Sequence, residues 1–335
     1  MPDKTTYIFL LTLITVLPLC TGITPPQPTL KPLGQNAWLL TGSYFDEHMT
    51  VVDTSAGLVV VDTLTTAAAT ERGMALLRKQ TTKPVKFVIN THFDIDHYGG
   101  NQLFPEAVII GHVNCRNHYQ YQFFDRQENK AEIKNLLQSL PVLVPGDDPV
   151  SRGKREAYAS WYSNMLEGFE DFTFTPPNLF FSENLSINAG DIPIELMYFG
   201  PGHTDADLVV LFPEEKILIT GDLVLGEKTI PVVHAQLHGG SLTNLIKILE
   251  QIEKLTIRYP TVVAGHGTYT GPEVIQDQKA YLNKLIKTVQ KARESGLSLE
   301  EAKKTITMDE YRDYWLYEFA HQGNIETAWH EGSKK

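Results

Sequence analysis

The chain reads as an α/β protein made of two mixed β-sheets with helices on their outer faces. Three observations predict this. Short runs of Val, Ile and Leu recur as strands, amphipathic segments with three-to-four apolar spacing separate them, and Gly-flanked His and Asp residues stand where strands end. At 335 residues, 42% hydrophobic and 21% charged, there is ample material for one large core.

The elements follow in order. Lys4 precedes an apolar run from Tyr7 to Leu19, then Cys20-Thr21-Gly22. This is the pattern of a signal peptide over residues 1–22, and the run falls short of the ~20 apolar residues that a membrane span needs. A secreted or periplasmic chain with no stable membrane span in its mature form is expected. Lipid attachment at Cys20 is the weaker alternative, because bulky Leu19 precedes it. The mature chain keeps only Cys115, so no internal disulfide is expected.

Ala37–Thr41, Met49–Asp53 and Leu58–Asp62 read as consecutive strands, with Ser55-Ala56-Gly57 as a turn. Thr66 caps a helix that runs to Gln80. The apolar strand Val85–Asn90 delivers the run Thr91-His92-Phe93-Asp94-Ile95-Asp96-His97-Tyr98-Gly99-Gly100-Asn101, and Val108-Ile109-Ile110 follows. Residues 113–175 are rich in aromatics and helix formers and read as an insertion, with Tyr119, Tyr121, Phe123, Phe124 and Trp161 as material for a lid. Leu185 to Leu196 forms a hairpin turning at Ala189-Gly190, and a second hairpin joins Leu208–Phe212 to Lys216–Thr220. Leu242–Leu255 and Gln276–Ser295 are amphipathic helices. Residues 296–335 form a helical extension, expected to cap the core or to mediate self-association, with nothing in it that suggests catalysis.

The chemistry lies in seven residues. His92, Asp94 and Asp96 alternate, and in extended backbone residues at i, i+2 and i+4 face the same way. His97 adjoins them, and His203, Asp222 and His266 each have a Gly at the preceding position. A lone loop His or Asp is usually just solvated, but this density of imidazoles and carboxylates is the ligand inventory of a dinuclear metal site. Two divalent cations bring four positive charges and three carboxylates return three, so a bridging hydroxide would make the core neutral. Such a hydroxide forms near neutral pH because bound cations lower the pKa of water from ~15.7 to about 7. No Gly-x-Ser-x-Gly elbow offers an alternative nucleophile. The near-phosphate loop at Gly221–Gly226 has Glu227 where a Lys is required. A net charge of −11 argues against a nucleic-acid partner, and the basic stretch Lys284–Arg293 reads as a solvated helix face.

The pattern His-x-His-x-Asp-His followed far downstream by His, Asp and His resembles the metallo-β-lactamase-fold hydrolases, across most of residues 30–290. The secreted branch with Asn-Thr-His, His-Thr-Asp-x-Asp, Gly-Asp and Gly-His-Gly signatures is the nearest likeness. The resemblance implies a four-layer αβ/βα sandwich with metals at one edge between the sheets, and a catalytic domain over 23–295. It places His92, Asp94 and His203 on a first metal, Asp96, His97 and His266 on a second, and Asp222 as the bridge. One position departs: Asp94 stands where the family has its second His. Zinc is the first expectation, with iron or manganese as alternatives because Asp94 adds oxygen to the ligand set.

The expected catalytic set is Asp96 and Asp222, with His234 or His238 donating to a developing oxyanion or protonating a leaving group. Asp205 is expected to accept the spare N–H of a ligand His, and Tyr98 either to contact substrate or simply to fill the loop. The expected reaction is hydrolysis of a small-molecule ester, lactone or amide by a metal-bridging hydroxide. A β-lactam is a subset that Asp222 weighs against. A di-iron redox or oxygen-binding protein of the same fold and a phosphodiesterase are the alternatives. Oligomeric state and substrate identity are left open.

Overall fold

The computed structural model describes residues 28–41, 46–118, 130–131, 133–135, 137 and 148–333. Residues 1–22, expected to be a signal peptide, and Tyr119, Tyr121, Phe123 and Phe124 lie outside the described residues. Strands β1 (Thr29–Pro32), β2 (Ala37–Thr41), β3 (His48–Thr54) and β4 (Gly57–Val61) form an antiparallel meander. After helix α1 (Ala67–Leu77), strand β5 (Val85–Ile89) joins in parallel. The short helices α2 (Ile95–Tyr98) and α3 (Cys115–His118) flank β6 (Val108–His112). Helix α4 (Pro149–Gly168) precedes β7 (Leu179–Phe181), which completes a seven-stranded sheet in sequence order.

The second sheet holds β8 (Leu185–Ala189), β9 (Ile192–Tyr198), β10 (Leu208–Phe212), β11 (Ile217–Ile219) and β12 (Thr261–Val263). Its strands run antiparallel except for the parallel pair β11 and β12. Between those two lie α5 (Ala235–His238) and α6 (Leu242–Thr256), and α7 (Pro272–Glu294), α8 (Leu299–Thr305) and α9 (Tyr317–Gly332) follow.

Alternation decides the layers. All five residues of β4 are buried: Val59 and Val61 face the second sheet, while Leu58 and Val60 pack with Met74 and Leu77 of α1. Across the gap, Ile194, Leu196, Val210, Phe212 and Ile219 meet them. Leu245, Ile248, Leu249 and Ile252 of α6 cover the outer face at Val209, Leu211 and Leu218. The result is the four-layer αβ/βα sandwich expected from the sequence. Thr66 caps α1 by accepting from the Ala69 N–H at 3.1 Å, as its position predicts. The second long helix begins at Pro272, four residues before Gln276, with Pro in the first turn where its missing N–H costs nothing.

The 296–335 segment is integrated into this core. Ala302, Ile306, Met308, Ile325 and Ala328 share one buried cluster with α6, α7 and the second sheet. Among the described residues no helix is long and apolar enough to cross a membrane.

Candidate metal centre

The sheet ends bring all seven candidate ligands together. β5 leads into His92, Asp94, Asp96 and His97; β9 and β10 flank His203; β11 ends before Asp222; and β12 ends before His266. The local geometry of the first group differs from the extended alternation expected. Asp94 caps a helical turn, and the His97 N–H donates to the Asp94 carbonyl at 2.9 Å. The turn still faces both carboxylates inward, because Asp94 precedes it in extended backbone and Asp96 lies inside it.

Two groups of donors form around Asp222. On one side, His97 Nε2 is 3.2 Å from Asp222 Oδ1, and His266 Nε2 is 3.5 Å from Asp222 Oδ2 and 3.3 Å from Asp96 Oδ2. On the other, His203 Nε2 is 3.8 Å from Asp222 Oδ2 and 3.0 Å from Asp94 Oδ2, with His92 Nε2 at 3.6 Å from the same Asp94 oxygen. Metal–ligand bonds of about 2.0–2.1 Å set tetrahedral donor separations near ~3.3 Å, which these match. A second observation supports the fit. His92 Nε2, His97 Nε2 and Asp222 Oδ1 are buried without a hydrogen-bond partner, and these three residues bring ligand atoms within 4.8 Å of one another. A buried polar atom left unmatched costs about 1–3 kcal/mol, so a set converging on one spot points to cations. Gly265 makes room: a Cβ there would stand 1.9 Å from Asp222 Oδ1.

The outer nitrogens are anchored. His97 Nδ1 donates to Asp62 Oδ2 at 2.9 Å, and Asp62 also accepts the Thr91 N–H and hydroxyl at 2.8 Å each. His203 Nδ1 donates to the Val232 carbonyl at 2.8 Å. These contacts leave Nε2 of each ring for the centre. Asn90 and Asn101 bind one another through their amides and tie down the His97 carbonyl, holding the loop.

The charges agree with this arrangement in the metal-free protein. Burial disfavours charge at each group, yet the neighbours outweigh it. Asp222, with His266 and His97 beside it, sits well below the usual carboxylate range. Asp94 is likewise held low by the imidazoles of His203, His238 and His92. His203 is raised to about 10, chiefly by Asp94, and both its ring nitrogens donate.

Asp205 was expected to serve a ligand His. It sits instead 3.0 Å from His118 Nε2, because Val232 has taken the spare N–H of His203. His118, stacked on Phe93 at 4.2 Å, lines the pocket, a role the sequence did not suggest. Asp62 was also missed. It reads as a strand end, and its left-handed φ of 60° turns it toward His97. His234 and His238 do reach the site, at 3.5 and 3.2 Å from Asp94 oxygens. Burial pushes His234 down to about 4 despite Asp94 nearby.

The centre opens onto a cavity of about 730 Å³. Tyr98, Trp161, Tyr162 and Met165 form one wall, and Trp315, Leu316 and Phe319 of the C-terminal segment another. That segment, expected to cap the core or to mediate self-association, therefore also contributes to the pocket.

A sequence profile of the Metallo-beta-lactamase superfamily matches residues 44–266. The chain belongs to that superfamily. Relatives within it include a linear primary-alkylsulfatase of Pseudomonas sp. (strain ATCC 19151), 23% identical over 235 residues, covering 68% of this chain and 43% of that protein. A metallo-beta-lactamase type 2 of Bacillus cereus is 25% identical over 248 residues, covering 71% and 76%. The solved structure of a stereoselective inverting sec-alkylsulfatase from Pseudomonas sp. superposes with a TM-score of 0.68 at 16% identity, covering 91% of this chain and 50% of that one. The chain spans about half the length of these alkylsulfatases. The superfamily typically binds divalent metals, which agrees with the donor clusters here.

One superfamily strand also carries a buried titrating group. His48 donates from Nδ1 to the Ala264 carbonyl at 2.8 Å, and burial pushes its pKa from 6.5 to about 4. Below about pH 6.5 the unfolded chain therefore binds a proton that the folded chain refuses, so stability falls as pH drops from 6.5 toward 4. The shift corresponds to about 3 kcal/mol. His48→Asn, which keeps a donor but does not titrate, should flatten this part of the pH profile in urea unfolding of the metal-free protein; an unchanged slope would refute it.

Proposed function

We propose that this chain is a metal-dependent hydrolase that cleaves an ester or lactone of a small molecule carrying an apolar group. The observation that carries this reading is the junction of two donor clusters with an aromatic-walled cavity. His92, Asp94 and His203 would hold one ion, Asp96, His97 and His266 the other, with Asp222 between them. Two bound divalent ions would supply a lowered pKa for water and polarisation of the acceptor oxygen.

The protein's own residues do the rest. Asp62 keeps the His97 proton on Nδ1, and the Val232 carbonyl does the same for His203. Asp222 and Asp96 place negative charge against His266 and His97 at the centre. Trp161, Tyr162, Trp315 and Phe319 take up an apolar group and exclude water beside it. Asp46 and Glu227 also line the cavity, and their negative charge favours a neutral ester. Sulfate-ester cleavage is the second reading, favoured by the alkylsulfatase relatives and by a cavity suited to an alkyl chain.

A substrate panel tests this. Metal-loaded protein is expected to hydrolyse carboxylic esters and lactones with kcat/KM rising with chain length, and to leave β-lactams largely intact. Preference for alkyl sulfates would select the second reading, and no turnover of any ester would refute both. Phe319 is 48% exposed, so Phe319→Ala should spare the fold. It should raise KM for long-chain esters by about 10-fold, the effect of losing an apolar contact of ~1.4 kcal/mol, without changing turnover of a short ester. Zinc is the proposed metal, with iron or manganese as alternatives. Asp94→His should raise zinc preference, since imidazole replaces a carboxylate; unchanged selectivity would show that Asp94 does not ligate.

A further inference from the structure

Asp94, like Asp222, faces imidazoles on two sides. Its Oδ2 looks toward His92 and His203, while its Oδ1 is 3.2 Å from His238 Nδ1. His234 Nε2 lies 3.5 Å from Oδ2. Four imidazoles thus surround one carboxylate, yet Asp94 Oδ1 and His238 Nδ1 are both buried without a hydrogen-bond partner.

We propose that Asp94, His234 and His238 form a third cation seat, for a divalent transition metal, with Asp94 bridging it to the first seat. This inference rests on the dinuclear reading above. Three observations support it. His234 and His238 stand four residues apart on one helical turn, the spacing at which two imidazoles from one helix reach a single ion. Their ring centroids are 5.1 Å apart, and their nitrogens lie within 4.8 Å of one another and of an Asp94 oxygen. The turn is held in place by its backbone: the His234 N–H donates to the His203 carbonyl at 2.9 Å, and the Asp205 N–H to the His238 carbonyl at 2.9 Å.

This also gives a physical reason for the departure at position 94. An imidazole there would offer one nitrogen to the centre, whereas a carboxylate offers two oxygens and can serve two ions. Two imidazoles and one carboxylate oxygen suit zinc or ferrous iron and leave coordination positions open. All three residues line the cavity and none is fully buried, so those positions face the substrate space. With three protein ligands and more solvent access, this ion should leave first on chelation.

The test is metal stoichiometry by elemental analysis after equilibration with zinc and removal of free ion. The intact protein should hold about three zinc per chain, and His238→Gln about two. Asp94→His, an independent variant that keeps a ligand for the first seat, should also hold about two. Two per chain in the intact protein and in His238→Gln would overturn the third seat and leave the dinuclear reading standing. One or none in the intact protein would overturn both. Retention of three in both variants would overturn the assignment of these ligands. Two in all forms, with His238→Gln losing one limb of the pH–rate profile, would make His238 a proton donor and overturn it as well.

Discussion

Replacing Asp222 with Ala is expected to lower ester hydrolysis by about three orders of magnitude or more and to reduce the metal held at the centre. Its two oxygens lie 3.2 to 3.8 Å from three imidazole nitrogens, His97 and His266 on one side and His203 on the other. On the proposed reading, removing it would take one ligand from each ion and the negative charge that balances them. Loss of a metal contribution of several kcal/mol corresponds to that fall in rate. Asp222→Asn separates shape from charge: it should retain the fold and still lose metal. Full activity with full metal content in the Ala variant would refute the shared position.

The second large effect is expected at Asp62, which touches no metal. Its carboxylate accepts from Thr91 twice and from His97 Nδ1. In Asp62→Asn one oxygen can still accept the Thr91 N–H, but the amide NH2 then faces His97 Nδ1. A donor there favours the tautomer that carries its proton on Nε2, the atom meant for the ion. Metal affinity should fall by about 10–100-fold, with activity recovered at high metal concentration. Isothermal titration of the two proteins measures it. Equal affinities would show that Asp62 only braces the loop.

Much of this architecture was legible in the residues. The strands β3 to β5 announce themselves by β-branched residues, and β4, buried on both faces, by having no polar residue. The ligands spread from His92 to His266 were legible because each follows a strand, and strand ends of one fold gather at one edge. Periodicity failed over the short stretch from His92 to His97, where six residues suit an extended chain or a turn equally well. Tertiary packing decides it: a Cβ on Gly99 would fall 1.9 Å from the Thr65 carbonyl oxygen, so the turn is pressed against the chain leaving β4. Asp62 was hidden for another reason. At the end of a valine strand it reads as a boundary, and only the sharp turn at Asp62 and Leu64, both with φ near 60°, aims it inward. The cavity wall at Trp315, Leu316 and Phe319 depends on α9 docking on α6 and α7, a long-range contact that no local pattern encodes.

The most direct test is ester hydrolysis by metal-stripped and metal-restored protein, with folding followed by circular dichroism. The account predicts a folded, inactive apoprotein whose activity returns on adding divalent ion. Undiminished turnover by folded, metal-free protein would contradict it.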